Sequence, residues 1–253
     1  MQLIKTNLLI PALLICAVAQ AKEVRSGDSL VRAMHDRYVA TWYETITFTQ
    51  KNTSFKPDGT EAGSETWYNA GAIPGKWRID LVSPASGNGY VMVDGITTII
   101  QKEKIANAMP YVNLLNLLGF DVYKQDPDAT IKILKKEGFD LSKFHEETWE
   151  GKPVYVVGAE QGDLNSKQFW VDKDKLLFVR EIQPVPSDPG EPHDFRITHY
   201  QRLAGGWFAH MVEVYTWEGK KFFFQEYSDV EVNVKLVPGV FDPQQFKETH
   251  WEK

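Results

Sequence analysis

The chain of 253 residues carries 28 Lys and Arg against 34 Asp and Glu, a formal charge of −6. That balance argues against nucleic acid or an anionic membrane surface as the main partner. Cys16 is the single cysteine, so no disulfide staples the fold, and about 230 residues beyond a leader must be held by core burial alone.

The N-terminus reads as that leader. Lys5 precedes an apolar run, Leu8 to Val18, of about 11 residues, too short to cross a bilayer, and Ala19-Gln20-Ala21 forms a small-x-small cleavage site. A cleaved secretory signal peptide is predicted over 1–21, with Lys22 as the first mature residue. Cys16 follows Ile15, where a lipidated cysteine would follow a small residue, and is read as part of the apolar run. No later stretch approaches about 18 consecutive apolar residues, so the chain is not expected to be an integral membrane protein. Export without disulfides suits a bacterial periplasm.

After the leader, Leu30, Val31, Met34 and Tyr38 recur at helical spacing, and Ser26 or Asp28 can cap a helix to about Ala40. Strands are predicted over Thr41–Phe55 and Glu61–Asn69, joined through Asp58-Gly59. "AGAIPG" is expected to end the second of these. In Lys76–Leu81, Trp77, Ile79 and Leu81 alternate with Lys76, Arg78 and Asp80, the pattern of a half-buried strand. Two short strands then flank Asp94-Gly95. The stretch Asn107–Leu118 reads as a helix, apolar on several sides and bounded by Pro110 and Gly119, and as a natural lid. A further helix has Asp126 as cap, Pro127 in its first turn and Gly138 beyond its end. Seven strands are predicted from Lys143 to Val232, with turns at Glu150-Gly151, Lys173-Asp174, Gly205-Gly206 and Glu218-Gly219 and a long loop over Pro184–Pro192. The domain is expected to span 22–246, with 247–253 a frayed tail.

These patterns predict a mainly β, α+β fold: one antiparallel sheet of about 10–12 strands and about three helices. A sheet of that width must curl or close. Three helices do not obviously cover its apolar face, so a concave hollow lined by aromatic and aliphatic side chains is expected.

The order of motifs resembles the periplasmic outer-membrane lipoprotein carrier (LolA-like) superfamily and its lipoprotein-sorting relatives. A helix leads into "TITFTQ", with Phe48 and Gln50. "ETWYNAGAIPGKWRID" supplies Trp67, Pro74 and Trp77, and "YVMVDG" ends at Asp94 and Gly95. The hairpin "FWVDKDKLLFVRE" follows the helices, and "EYSDVEVN" and "FDPQQF" finish the chain. The likeness covers about Val24 to Phe246. It implies an unclosed antiparallel β half-barrel wrapped over helices, whose concave face holds acyl chains of lipoprotein or lipid. It also implies inner- and outer-membrane transport proteins as partners. The family carrier's gating Arg, three residues after the Trp, has its counterpart here in Ala70.

On this reading the protein is a non-enzymatic acyl-chain carrier, with no metal and no cofactor expected. Its candidate groove residues are Trp67, Trp77, Ile79, Leu81, Met92, Leu114, Leu117, Phe169 and Val171. A lipid- or partner-sensing regulator of the envelope is the alternative. A hydrolase is the third reading. Across the Gly205-Gly206 hairpin His199 and His210 are expected to be near diagonal neighbours with Glu213 close by, but no H-x-x-x-H or C-x-x-C supports a metal site. "SGDSL" at Ser26–Leu30 lacks the preceding strand a nucleophile elbow needs.

Overall fold

The computed structural model describes residues 23–183 and 192–250. The predicted signal peptide with Cys16 and nearly all of the Pro184–Pro192 loop lie outside the described residues. Ser26 caps helix α1 (Gly27–Tyr38), accepting a hydrogen bond from the Ser29 amide while the Ser29 hydroxyl takes up the Ser26 amide. This reciprocal cap satisfies two otherwise orphaned donors. The strands β1 (Thr45–Phe55), β2 (Glu61–Ala72), β3 (Lys76–Leu81), β4 (Gly89–Val93), β5 (Ile96–Gln101) and β6 (Lys104–Pro110) form one wing. Two helices follow, α2 (Leu114–Gly119) and α3 (Pro127–Lys136), with Asp121–Tyr123 as a 3-10 turn between them. The other wing is β7 (Phe144–Trp149), β8 (Lys152–Val157), β9 (Gln168–Asp172), β10 (Phe178–Ile182), β11 (Pro192–Leu203), β12 (Gly206–Thr216) and β13 (Lys221–Val232).

All thirteen strands join one antiparallel sheet in the order β6-β5-β4-β3-β2-β1-β13-β12-β11-β10-β9-β8-β7. Two meanders meet where β1 pairs with β13, and the far edges β6 and β7 do not close. The half-barrel over helices is therefore the architecture. The hairpins form where expected: Asp94 and Gly95 have φ of 51° and 77°, the paired positive values of a type I′ turn.

Four sequence expectations change. Lys104–Pro110 is a strand, so no helix begins at Asn107; the helical part is only Leu114–Gly119, capped by Asn113. The thirteenth strand is this β6. It lies at an edge, every residue of it is exposed, and it pairs only with β5, so its sequence carries no alternation. Ala70–Ala72 continue β2, and the break comes at Ile73–Gly75. Gly71 is needed there, because Trp77 lies over it and a Cβ would meet the indole at 2.8 Å.

The strand β3 is buried on both faces, not one. Arg78 and Asp80 are 0 % exposed. The C-terminal segment crosses the convex side and seals them. Arg78 Nε and Nη2 donate to the Asp80 carboxylate at 2.9 Å each, Nη2 donates to the Phe246 carbonyl (2.9 Å), and Nη1 donates to the Thr249 carbonyl (2.6 Å). The guanidinium lies 3.9 Å from the Phe246 ring centroid, and Phe246 packs on Val91 and Ile100. The stretch expected to fray from 247 is thus tied down as far as Thr249.

Candidate functional site

The concave face divides into a filled half and a half that is not filled. Under α1 and α3, Leu30, Val31, Met34 and Leu134 meet Trp42, Tyr43, Val122 and Tyr123 in one buried cluster. Trp42 and Tyr123 stack with centroids 3.9 Å apart. The phenols find acceptors within this layer: Tyr38 Oη donates to the Lys175 carbonyl (2.6 Å) and Tyr43 Oη to the Trp207 carbonyl (3.0 Å). Burial pushes the Tyr43, Tyr123 and Tyr200 phenols well up from their usual range.

Beneath α2 a cavity of about 90 Å3 remains. Its floor comes from strand residues that alternate inward: Phe48 and Gln50 on β1, Trp67 and Asn69 on β2, Ile79 on β3, Gln225 and Tyr227 on β13. β12 adds Phe208 and Val212, and β11 adds Ile197 and Tyr200. The roof is Asn113, Leu115, Asn116, Gly119 and Phe120. None of its lining residues is charged. Ligand pockets for drug-sized molecules run from about 300 Å3 upward, so this cavity in its present form takes only a short length of hydrocarbon. The hollow exists, but side chains fill more of the concave face than three short helices suggested.

The register explains the floor. Gln50 stands opposite Trp67 on one side and Tyr227 on the other, and Asn52 opposite Gln225. Asn69 Nδ2 donates to Gln50 Oε1 (3.2 Å), Gln50 Nε2 to Asn52 Oδ1 (2.7 Å), and Tyr227 Oη to Gln225 Oε1 (2.5 Å). Two donors in this band, Trp67 Nε1 and Asn52 Nδ2, are buried without a partner among the described residues. Such a group costs about 1–3 kcal/mol.

Of the sequence-predicted residues, Trp67 and Ile79 border the cavity. Trp77 shares their face but is wedged between Phe48 and Phe120, at 6.3 and 4.9 Å, as core. Leu81 pairs with Trp67 at the rim of that face, half-buried. Met92 Sδ lies 3.9 Å from Asn116 Nδ2, behind the roof. Leu114 and Leu117 turn into the core with Leu118, while Leu115 and Gly119, one turn apart, form the roof. Phe169 packs on Phe139 (5.4 Å), and Val171 is buried opposite Phe178, both in the filled half. The polar floor was missed, although the Phe-x-Gln motif and the period-2 pattern through Asn52 pointed inward. Ala70 pairs with Arg78 on the convex face, so the position matched to the family's gating Arg does not look onto the cavity. Asn69 is its inward neighbour.

The hydrolase features find other duties. Ser26 is the cap of α1. His199 has a φ of 56° within β11, its Nδ1 3.0 Å from the Thr198 hydroxyl, while His210 Nδ1 lies 3.0 Å from the Tyr227 carbonyl. Among the described residues no three His, Cys, Asp or Glu gather in a metal-binding group, and no helix is long and apolar enough to cross a membrane.

No protein-family model and no curated protein matches the sequence. Solved structures do match in fold. A DUF1329 family protein from Desulfovibrio piger superposes with a TM-score of 0.56 at 16% identity, covering 85% of this chain and 95% of that one. A putative outer membrane lipoprotein-sorting protein domain from Vibrio parahaemolyticus gives 0.54 at 12%, covering 87% and 98%. A LolA superfamily protein from Nitrosomonas europaea gives 0.52 at 12%, covering 83% and 96%. At these identities the likeness speaks for a shared LolA-like fold over nearly the whole domain.

Proposed function

We propose that this LolA-like half-barrel is a periplasmic, non-enzymatic carrier or binder of acyl chains, borne by lipoprotein or lipid, which it takes up beneath α2. The supporting observation is the uncharged cavity on the concave face, roofed by a six-residue helix. Burying an acyl chain is worth about 0.8 kcal/mol per CH2, so a chain of about 16 carbons gains on the order of 10 kcal/mol before ordering costs. That scale holds a chain out of water and still permits handover. Because about 90 Å3 cannot house such a chain, uptake requires α2 to lift. Lifting frees the partly buried roof side chains Leu115 and Asn116 and must also draw Leu114, Leu117 and Leu118 out of the core, a cost the incoming chain has to offset. Inner- and outer-membrane transport proteins would supply and receive the cargo.

The test is lipid extraction and mass spectrometry of the protein purified from its native envelope, with titration of a fluorescent acyl probe. Co-purifying acylated molecules and saturable probe binding are expected. Absence of both bound lipid and saturable binding removes the carrier reading.

A further inference from the structure

The cavity floor is not what plain hydrocarbon calls for. Gln50 and Asn69 are 5 % and 3 % exposed, yet both border the cavity, and with Asn52, Gln225 and Trp67 they form a band of neutral hydrogen-bonding groups across β13, β1 and β2. The band's internal bonds run from Asn69 through Gln50 to Asn52 and end there. Trp67 Nε1 is sealed off and unpartnered. An indole nitrogen can only donate, so whatever satisfies it must bring an acceptor. Trp42 and Trp77 carry unpartnered indole groups too, but neither borders the cavity.

Resting on the acyl-binding reading above, we infer that this band seats the uncharged carbonyl joining an acyl chain to its headgroup, an ester or an amide. The cavity therefore selects neutral acyl esters and amides over free fatty acids and over bare hydrocarbon. A carboxylate would enter a space whose lining holds no Lys, Arg or His to pair with it. An alkane would leave the indole donor unsatisfied, and sites built around buried polar groups reject analogues that lack the matching group. A carbonyl oxygen meets the donor without carrying a charge inward, and the chain attached to it runs along Phe48, Ile79 and Phe208.

Equilibrium dialysis of the purified full-length mature protein against radiolabelled monopalmitoylglycerol, palmitate and hexadecane, each delivered from cyclodextrin, tests this. The monoglyceride is expected to bind at least tenfold more tightly than either of the others. Trp67→Phe keeps the ring and deletes the donor, and the ratio of ester to hexadecane affinity is expected to fall about five- to tenfold. Retained hexadecane binding shows that this variant is folded, and Asn52→Leu should lower the same ratio independently. Equal binding of the three probes, or an ester preference unchanged in both variants, overturns the carbonyl seat and leaves acyl binding standing. Binding of none of the three overturns the acyl-binding reading and the seat with it.

Discussion

The same concave surface is dry and close-packed under α1 and α3, and loosely roofed and polar-floored under α2. Both halves are lined by inward residues of the same sheet, so the sheet does not make the difference. The covering helices do. α1 spans 12 residues and presents Leu30, Val31, Met34 and Tyr38 as one buried stripe, tied to α3 through the Lys135–Asp28 ion pair (2.8 Å) and the Arg32–Asp128 pair. α2 has six residues, commits Leu114, Leu117 and Leu118 to the core, and leaves Leu115 and Asn116 over a gap. The lesson is that the same sheet is close-packed where long helices cover it and loosely packed where a short one does.

The sharpest test of that division is Trp42→Ala in the filled half. It removes a large side chain stacked on Tyr123 and should cost about 3–5 kcal/mol, read as a fall in the denaturant midpoint at an unchanged slope. Next is Arg78→Ala on the convex face. It takes the guanidinium away from the wholly buried Asp80 and should cost about 3–5 kcal/mol, while Arg78→Ala/Asp80→Ala should cost less than the single change. A double variant no more stable than Arg78→Ala would show that the guanidinium acts through Phe246 and Thr249 instead.

An effect confined to higher pH is expected from Glu181, on β10. Burial raises its carboxyl to about 8, against the pull of Lys167 and the hydrogen bond from Gln183, and its Oε2 has no partner among the described residues. Asp121, which accepts from the Gly75 amide beside α2, is raised by burial to about 7. Between an unfolded pKa near 4 and these folded values the native state holds protons that the unfolded chain has lost. Stability therefore falls as pH rises from about 5 to about 8, by at most about 1.4 kcal/mol per pH unit for each group. Glu181→Gln should flatten that decline and raise the melting temperature at pH 8 while changing little at pH 5. An unaltered pH profile would contradict the buried, protonated acid. The smallest change is expected from Leu115→Ala in the roof, below about 1.5 kcal/mol because the side chain is only partly buried and already borders a void. A loss as large as that of Trp42→Ala would erase the distinction between the halves.

Much of the architecture was readable locally. Ser26, Asp126 and the Asp-Gly and Glu-Gly pairs marked ends and turns, because caps and type I′ turns need those residue types at those positions. Alternation put Trp77, Ile79 and Leu81 on one face of β3, and the curl of the sheet decided that this face is the concave one. What escaped depended on partners distant in sequence. β6 has a strand's environment only because β5 lies beside it, and its Ala, Asn and Met carry little β preference. The outer face of β3 looked solvated because the carbonyl that buries Arg78 belongs to Phe246, 168 residues away.

The sequence by itself determined a wide, twisted antiparallel sheet with a capped N-terminal helix, since period-2 patterning and turn chemistry act over a few residues. Only the tertiary structure decided which half of the concave face is filled. That depends on where α1, α2 and α3 settle against the strands. A stripe of leucines fixes that a helix will be buried, and packing decides against what and how completely.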